Sequence, residues 1–353
     1  MDIVALMDKA FAEGASDLHL SVGRRPVLRV GGSLVEIGDA PLTADDTEQM
    51  AKQIAPARNW QELEQNGTTD FGMAHGDKCR FRVSILTQKG SRGIVMRQIP
   101  QKLLTFEQIG LPESVKQLLT LHRGLVLVTG PTGSGKTTTL ATMLDWINRH
   151  RDVHIITIED PVEYYHQHQK AQVTQREVGV DVPTFAEAMR RALRQDPDVI
   201  LLGEMRDLET TSAAITAAET GHLVFGTLHT TGAARTVDRI IDQYPREQQE
   251  QIRSQLAQSL VAVISQILVP TPDGGRCAAF EVMLSTPAIE NHIRKCETFK
   301  IPSVIQTSRR QGMLLMDDCL LDLWREGRVD KEVALERAFD KKALATRMGG
   351  GAA

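Results

Sequence analysis

Four short apolar runs stand out in the second half of the chain, at 125–129, 154–158, 199–202 and 222–228. Each is rich in Val, Ile and Leu and lacks polar alternation, the pattern of a strand buried on both faces. Stretches of helical periodicity lie between them. Leu140, Met143, Leu144 and Ile147 form one apolar stripe, and Phe185, Met189, Ala192 and Leu193 form another. Pro183-Thr184 with Glu187 three residues on predicts a capping box that opens the second of these helices. Arg190, Arg191 and Arg194 line another side of it and read as a solvated face, with contact to a neighbour as the alternative. TTSAAITAAET is a third helix, alanine-rich and stopped by Gly221. Such alternation predicts a parallel sheet covered on both faces, with ligands bound beyond the carboxyl ends of its strands. Residues 246–267 read as one long amphipathic helix carrying Ile252, Leu256, Leu260 and Ile264, with Pro270 after it. The remainder to about residue 345 reads as helices, and the terminal GGGAA as a disordered tail.

Residues 1–99 have a different rhythm. Ile3, Leu6 and Phe11 predict a first helix ended by Gly14. ASDLHLSVGRRPVLRVGGSLVEI then alternates like a hairpin with Gly31-Gly32 at its tip. Helices are expected at 48–54 and 59–65. Strands follow in DFGMAH, CRFRVSILTQ and GIVMRQI, with turns at Gly76-Asp77 and Gly90-Ser91. In CRFRVSI, Arg80 and Arg82 alternate with Phe81 and Val83, so both arginines project from one face. The stretch 99–115 has prolines at 100 and 112 and no periodic core. The expected division is therefore a domain at 1–99, a linker at 100–112 and a second domain at 113–353.

Composition narrows the functional classes. The 353 residues are 41% hydrophobic and 24% charged with a formal net charge of −4, which argues against broad non-specific nucleic-acid binding. The four cysteines, Cys79, Cys277, Cys296 and Cys319, include no C-x-x-C pair, so a zinc ribbon is not expected and a reduced compartment is. The N-terminus lacks the pattern of a signal peptide. No eighteen consecutive residues are apolar, so a soluble chain is expected.

The chemistry concentrates after the first apolar run. Gly130, Gly133, Gly135, Lys136 and Thr137 match G-x-x-x-x-G-K-[ST]. The whole stretch Gly130, Pro131, Thr132, Gly133, Ser134, Gly135, Lys136, Thr137 and Thr138 is read as a cradle for a nucleoside triphosphate. Glycines let backbone N–H groups turn inward on phosphate oxygens. Lys136 supplies a charge for the β and γ phosphates, and Thr137 a hydroxyl ligand for Mg²⁺. The other strand ends add candidates. The second delivers Glu159, Asp160 and Glu163; the third Gly203, Glu204, Arg206 and Asp207; the fourth His229 and Thr230. A buried strand ending in a carboxylate is how such enzymes hold Mg²⁺ and orient attacking water. His222, at the start of the fourth run, reads as structural.

The ordered set GPTGSGKTT, ITIEDPVEY, DPDVILLGEMRD and TGHLVFGTLHT resembles the secretion ATPases of the type II/type IV pilus superfamily. ASDLHL, RFRV, TVDRIIDQYP and IPSVIQTSRRQGMLLMDDCLLDLWREGRV extend the resemblance over essentially the whole chain, toward the pilus-retraction motors of that superfamily. The resemblance implies an α/β fold class with an N-terminal PAS-like domain, a C-terminal RecA-like P-loop domain and a helical C-terminal region at about 285–345. It implies ATP and Mg²⁺ as ligands, with Lys136 and Thr137 on phosphate and metal and Glu204 as the acid that holds Mg²⁺. Glu163 would position water, and His229 would sense the γ phosphate. Arg80 and Arg82 would reach the site of an adjacent subunit in a homo-hexameric ring. The implied setting is cytoplasmic, at the inner face of the inner membrane, with a platform protein as partner and no zinc or nucleic acid.

Two departures bear on the choice within the superfamily. The four-cysteine zinc motif of pilus-extension and type II secretion motors is absent, which favours retraction. The motif AIRNLIRE of retraction motors stands here as Ala288-Ile289-Glu290-Asn291-His292-Ile293-Arg294-Lys295, with Glu290 reversing a charge. An accessory retraction paralogue, or a related assembly or secretion ATPase, is therefore an alternative. A RecA-like nucleic-acid motor and a non-hydrolysing ATP-binding regulator are further ones. The acidic balance opposes the first of these, and the set Lys136, Glu163, Glu204 and His229 the second.

Overall fold

The N-terminal sheet shows its logic in two cross-strand rows. Its strands are β1 (Asp17–Leu20), β2 (Val27–Val30), β3 (Ser33–Glu36), β4 (Thr68–His75), β5 (Cys79–Gln88) and β6 (Ser91–Ile99). They pair antiparallel in the order β3-β2-β1-β6-β5-β4. Leu28, Leu18, Met96, Val83 and Phe71 lie side by side across five strands and are buried. One residue along, the adjacent row is Arg29, Asp17, Arg97, Arg82 and Gly72. A period of two thus separates an apolar face from a charged one. The apolar face joins Ile3, Leu6, Met7, Met50 and Leu63 from the helices Ile3–Ala12, Ala44–Ile54 and Ala57–Asn66 in one core. Phe11, expected on the apolar side of the first helix, is exposed. The β2–β3 hairpin turns on Gly31 and Gly32 at φ of 57° and 87°, the left-handed pair that a two-residue loop of this hand requires.

The computed structural model describes residues 2–76, 78–99 and 103–349. It divides into two units, Met1–Lys102 with Pro161–Tyr165, and Leu103–Asp160 with His166–Ala353. The expected turn at Gly76-Asp77 falls partly outside the described residues, as do 100–102 of the expected linker and 350–353 of the expected tail.

The second unit is built on β7 (Gly124–Thr129), β8 (His154–Glu159), β9 (Gln172–Glu177), β10 (Val199–Leu202), β11 (Leu223–Leu228), β12 (Leu260–Pro270) and β13 (Arg276–Leu284), in the order β13-β12-β7-β11-β10-β8-β9. All neighbours are parallel except the β12–β13 pair. The three central strands β7, β11 and β10 are buried throughout. One apolar layer carries Leu140, Met143, Leu144 and Ile147 of the helix Lys136–His150. The other carries the helices Phe185–Ala192, Leu208–Glu219, Ala233–Ile241 and Gln249–Ser259. Helices from Pro287 onward complete the unit, the last being Lys341–Gly349.

Four expectations change. The long helix at 246–267 stops at Ser259, and Leu260 begins β12. Val261, Val263, Ile264, Ile267 and Val269 make that stretch β-branched, and a continuous apolar run satisfies helical spacing and a two-sided strand alike. β9 and β13 were not expected at all. Residues 103–112 are not a free linker: Thr105 and Gln108 form a capping box, and Phe106 and Leu111 are buried in the core beneath β7. At Thr184 only half of the capping box forms. The hydroxyl accepts from the Glu187 N–H at 3.2 Å, but the Glu187 carboxylate turns to Arg191 at 2.6 Å and Arg190 at 3.6 Å. Those two arginines, Arg190 also paired with Glu209, are exposed on this chain.

Candidate active site

The phosphate loop runs from the end of β7 into the helix Lys136–His150. Gly130, Gly133 and Gly135 all have positive φ, at 144°, 78° and 88°. At Gly130 and Gly135 space is short as well: a Cβ would come 2.1 Å from the Gln266 carbonyl oxygen and 2.9 Å from Gln266 Nε2. Gly135 caps the helix with no side-chain hydrogen bond, so no side chain competes for the N-terminal amides that favour an anion. Lys136 Nζ donates to the carbonyls of Gly130 at 2.9 Å and Pro131 at 3.1 Å, which holds the ammonium across the loop. Ser134 Oγ is buried without a hydrogen-bond partner among the described residues. Glycine backbone, a fixed ammonium and an unsatisfied hydroxyl suit an oxygen-rich anion such as a nucleotide phosphate chain. Thr137 follows, half-buried, where a metal bound to that chain would find its hydroxyl.

The acids on the neighbouring strand ends differ in role. Glu159 closes β8, is buried, and accepts from Thr157 Oγ1 at 2.6 Å. Glu204 lies two residues beyond β10, and its neighbours are pinned to β11: Thr227 Oγ1 donates to the Gly203 carbonyl, and the Met205 N–H to the Thr227 carbonyl at 3.0 Å. His229 is two residues further along the same chain. His229 Nε2 consequently lies 2.6 Å from Glu204 Oε1, and Arg206 donates to that oxygen too. Gly203 permits this crowding, since a Cβ there would stand 3.2 Å from Glu159 Cα. A cleft of about 410 Å³ opens beside Glu204, lined by Asp160, Phe185, Arg206 and Asp207 among others.

Other sequence candidates resolve into structure. Asp207 caps the helix Leu208–Glu219 through the Thr210 N–H and hydroxyl, each at 2.8 Å. His222 Nδ1 lies 3.0 Å from the Ala217 carbonyl, at the end of that helix. In the first unit, Arg80 and Arg82 share a face of β5 but not an environment. Arg80 is 4% exposed with its guanidinium 3.9 Å from the Tyr165 ring centroid, whereas Arg82 is exposed beside Arg97. Glu163 lies in the same short segment as Tyr165, Pro161–Tyr165, which belongs to the first unit. The structure thus joins Glu204 to His229 directly and places the phosphate loop in the same unit. It leaves Glu163, Arg80 and Arg82 in the other.

Sequence reasoning missed three polar residues of β12 and β13. Gln266, 1% exposed, donates from Nε2 to the Ser134 carbonyl at 2.5 Å and accepts at Oε1 from Thr139 Oγ1 at 2.7 Å. Ser265 Oγ accepts from the Gly232 N–H at 2.9 Å. Glu281 accepts from the N–H groups of Ala233 at 2.7 Å and Met316 at 3.4 Å, and burial pushes its carboxyl pKa up. The available signal was a Ser-Gln pair inside an apolar run, since buried polar groups need partners.

Comparison with known proteins agrees over nearly the whole chain. A family model described as type II/IV secretion system protein matches residues 1–316. The type IV pilus retraction ATPase PilT of Pseudomonas aeruginosa is 48% identical over 338 residues, 96% of this chain and 98% of its own. A twitching motility protein of Neisseria gonorrhoeae is 45% identical over 320 residues, 90% of this chain and 86% of its own. A crystal structure of the pilus retraction motor PilT with bound ADP superposes with a TM-score of 0.91 at 44% identity, covering 98% of this chain and 99% of that one. Secondary structure, phosphate loop and relatives lead to one statement: the chain belongs to the type II/IV secretion system protein family.

Proposed function

We propose that the chain is an Mg²⁺-dependent ATPase that powers type IV pilus retraction, acting as a homo-hexamer against a platform protein at the cytoplasmic face of the inner membrane. The observation that carries this is the pairing of a phosphate loop, its ammonium fixed by Gly130 and Pro131, with a carboxylate fixed by His229 in the same unit. Similarity to PilT along nearly the whole chain supports the retraction assignment.

Lys136 transfers from its loop carbonyls to phosphate oxygens when nucleotide binds, so the loop is charged before the ligand arrives. Thr137 and Glu204 would hold Mg²⁺, which when bound offsets the charge of the phosphate oxygens. His229 restrains Glu204 in one orientation and would sense the γ phosphate. Glu163 orients water. Arg82, exposed on β5, supplies positive charge to the site of an adjacent copy. Arg80, stacked on Tyr165, holds the segment that carries Glu163. A second reading, an accessory retraction motor, rests on Glu290. It pairs with Arg294 at 3.0 Å, which neutralises charge on the face of the helix Pro287–Arg294.

The test is twitching motility and surface pilus number in cells lacking the gene, complemented with wild type or Lys136→Ala. Excess pili without motility, rescued by wild type alone, is the expected result. Bald cells would point to assembly or secretion instead. Unchanged pili and motility would favour the accessory motor. Purified protein that neither turns over ATP with Mg²⁺ nor assembles in its presence would refute the motor reading altogether.

A further inference from the structure

We propose that Gln266 is a positioning residue of the phosphate loop, holding the Ser134–Gly135 peptide so that its N–H is turned toward bound phosphate. Gln266 stands 132 positions from Ser134 and 127 from Thr139, so nothing local in the sequence links them. A buried carboxamide is costly unless both ends are hydrogen-bonded, and here both are. The peptide unit is planar and trans, so a carbonyl and the N–H that follows it point in opposite directions. Drawing the Ser134 carbonyl onto Gln266 therefore aims the Gly135 N–H away from β12. The bond from Thr139 ties the first turn of the helix Lys136–His150 to the same amide. The exit of the loop and the start of the helix are fixed to one side chain.

The approach is close enough to constrain the motif itself. A Cβ at Gly130 would overlap the Gln266 main chain, and one at Gly135 would crowd its side-chain amide. Two of the three motif glycines thus answer to Gln266 as well as to the ligand. The inference rests on reading this loop as a nucleotide site.

The experiment titrates a fluorescent ADP into the purified full-length protein, wild type, Gln266→Met and Gln266→Glu, between about pH 6 and about pH 8. Thermal midpoints without ligand are recorded alongside. Gln266→Met keeps the length of the side chain and removes both hydrogen bonds. Its Kd for ADP is expected to rise about tenfold, with the ligand-free midpoint within a few degrees of wild type. In Gln266→Glu an ionised carboxylate would face the Ser134 carbonyl, whereas the protonated acid can donate to it. Burial raises a carboxyl pKa, so the affinity of this variant is expected to recover as pH falls while that of wild type changes less. Should Gln266→Met fail to fold, the pH dependence of Gln266→Glu decides alone. A Kd within about twofold of wild type in every folded variant at every pH overturns the proposal. A wild type that binds no ADP overturns the reading of the site and the proposal with it.

Discussion

Gly226 offers a way to disturb the acid at the site without touching it. It sits in the middle of β11, buried between Leu202 of β10 and Leu127 of β7. A Cβ added there would meet Met205 Sδ at 2.3 Å and Met205 Cγ at 3.3 Å. Met205 is 1% exposed, and its N–H is bonded to the Thr227 carbonyl, so the side chain must move while its backbone is held. Overpacking a core costs about 1–3 kcal/mol, and methionine's flexibility puts Gly226→Ala toward the lower end. At about 2–4 °C per kcal/mol for a unit of this size, the thermal midpoint should fall by roughly 2–8 °C. Turnover should fall further. Glu204 is the residue before Met205, and its carboxylate works within 2.6 Å of His229. A shift of about 1 Å at such a site costs about 100-fold. Calorimetry, steady-state Mg-ATP turnover and ADP titration separate these effects, because the phosphate loop leaves β7 rather than β11, does not include Met205, and should keep its affinity. Adding Met205→Ala makes room but removes a buried side chain, so the double variant should lose less stability than the sum of the two single losses. Unchanged turnover in a folded Gly226→Ala, or a double variant with merely additive loss, would refute the reasoning.

Three further outcomes are expected. Glu204→Gln should lower Mg-ATP turnover by about 100-fold or more while leaving nucleotide affinity near wild type; single-turnover assays beside ADP titration check both. Burial raises the pKa of Glu281 above its ordinary 4.5, so the native state binds a proton that the unfolded chain has released. Wild type therefore loses stability relative to Glu281→Gln as pH rises above that value, and a midpoint difference that stays constant with pH would contradict this. Asp17 behaves oppositely: burial works to raise its carboxyl, but Ser16 and Arg97 hold it below the ordinary 3.8. Its contribution is present above that value and lost as pH falls through the folded one, so Asp17→Asn should be less stable near neutrality and converge with wild type in acid.

What could be read in the sequence divides along a physical line. The phosphate loop was legible because its chemistry is local: glycines, lysine and threonine act within one turn. Glu204 and His229 were legible as strand-end residues, since a buried apolar strand has few ways to finish. Arg80 and Arg82 were legible as sharing a face, because the strand period settles that. Their separate environments were not, because Arg80 is buried and stacks on Tyr165, 85 positions away in the sequence. β12 was misread because Leu260 and Ile264 continue the four-residue spacing of Ile252 and Leu256 across a boundary that only tertiary pairing with β7 imposes. The prolines at 100 and 112 suggested a linker, yet Phe106 and Leu111 between them are core residues.

The Ser265-Gln266 pair also sets how the chain can change in length. Neighbouring residues of a strand face opposite sides, so Ser265 reaches the loop after His229 while Gln266 reaches the phosphate loop. A slip of one residue would exchange them, offering a short hydroxyl where an amide spans two partners and an amide where a hydroxyl just fits. β12 pairs with β13 without a break from Ala262 to Pro270, so no bulge between Gln266 and Pro270 could absorb an added residue. The irregularity at Leu260/Ala262 lies before the pair, and the Thr271–Gly275 turn lies after it. Insertions can accumulate at those two places, whereas the residues between form a ruler whose count is fixed.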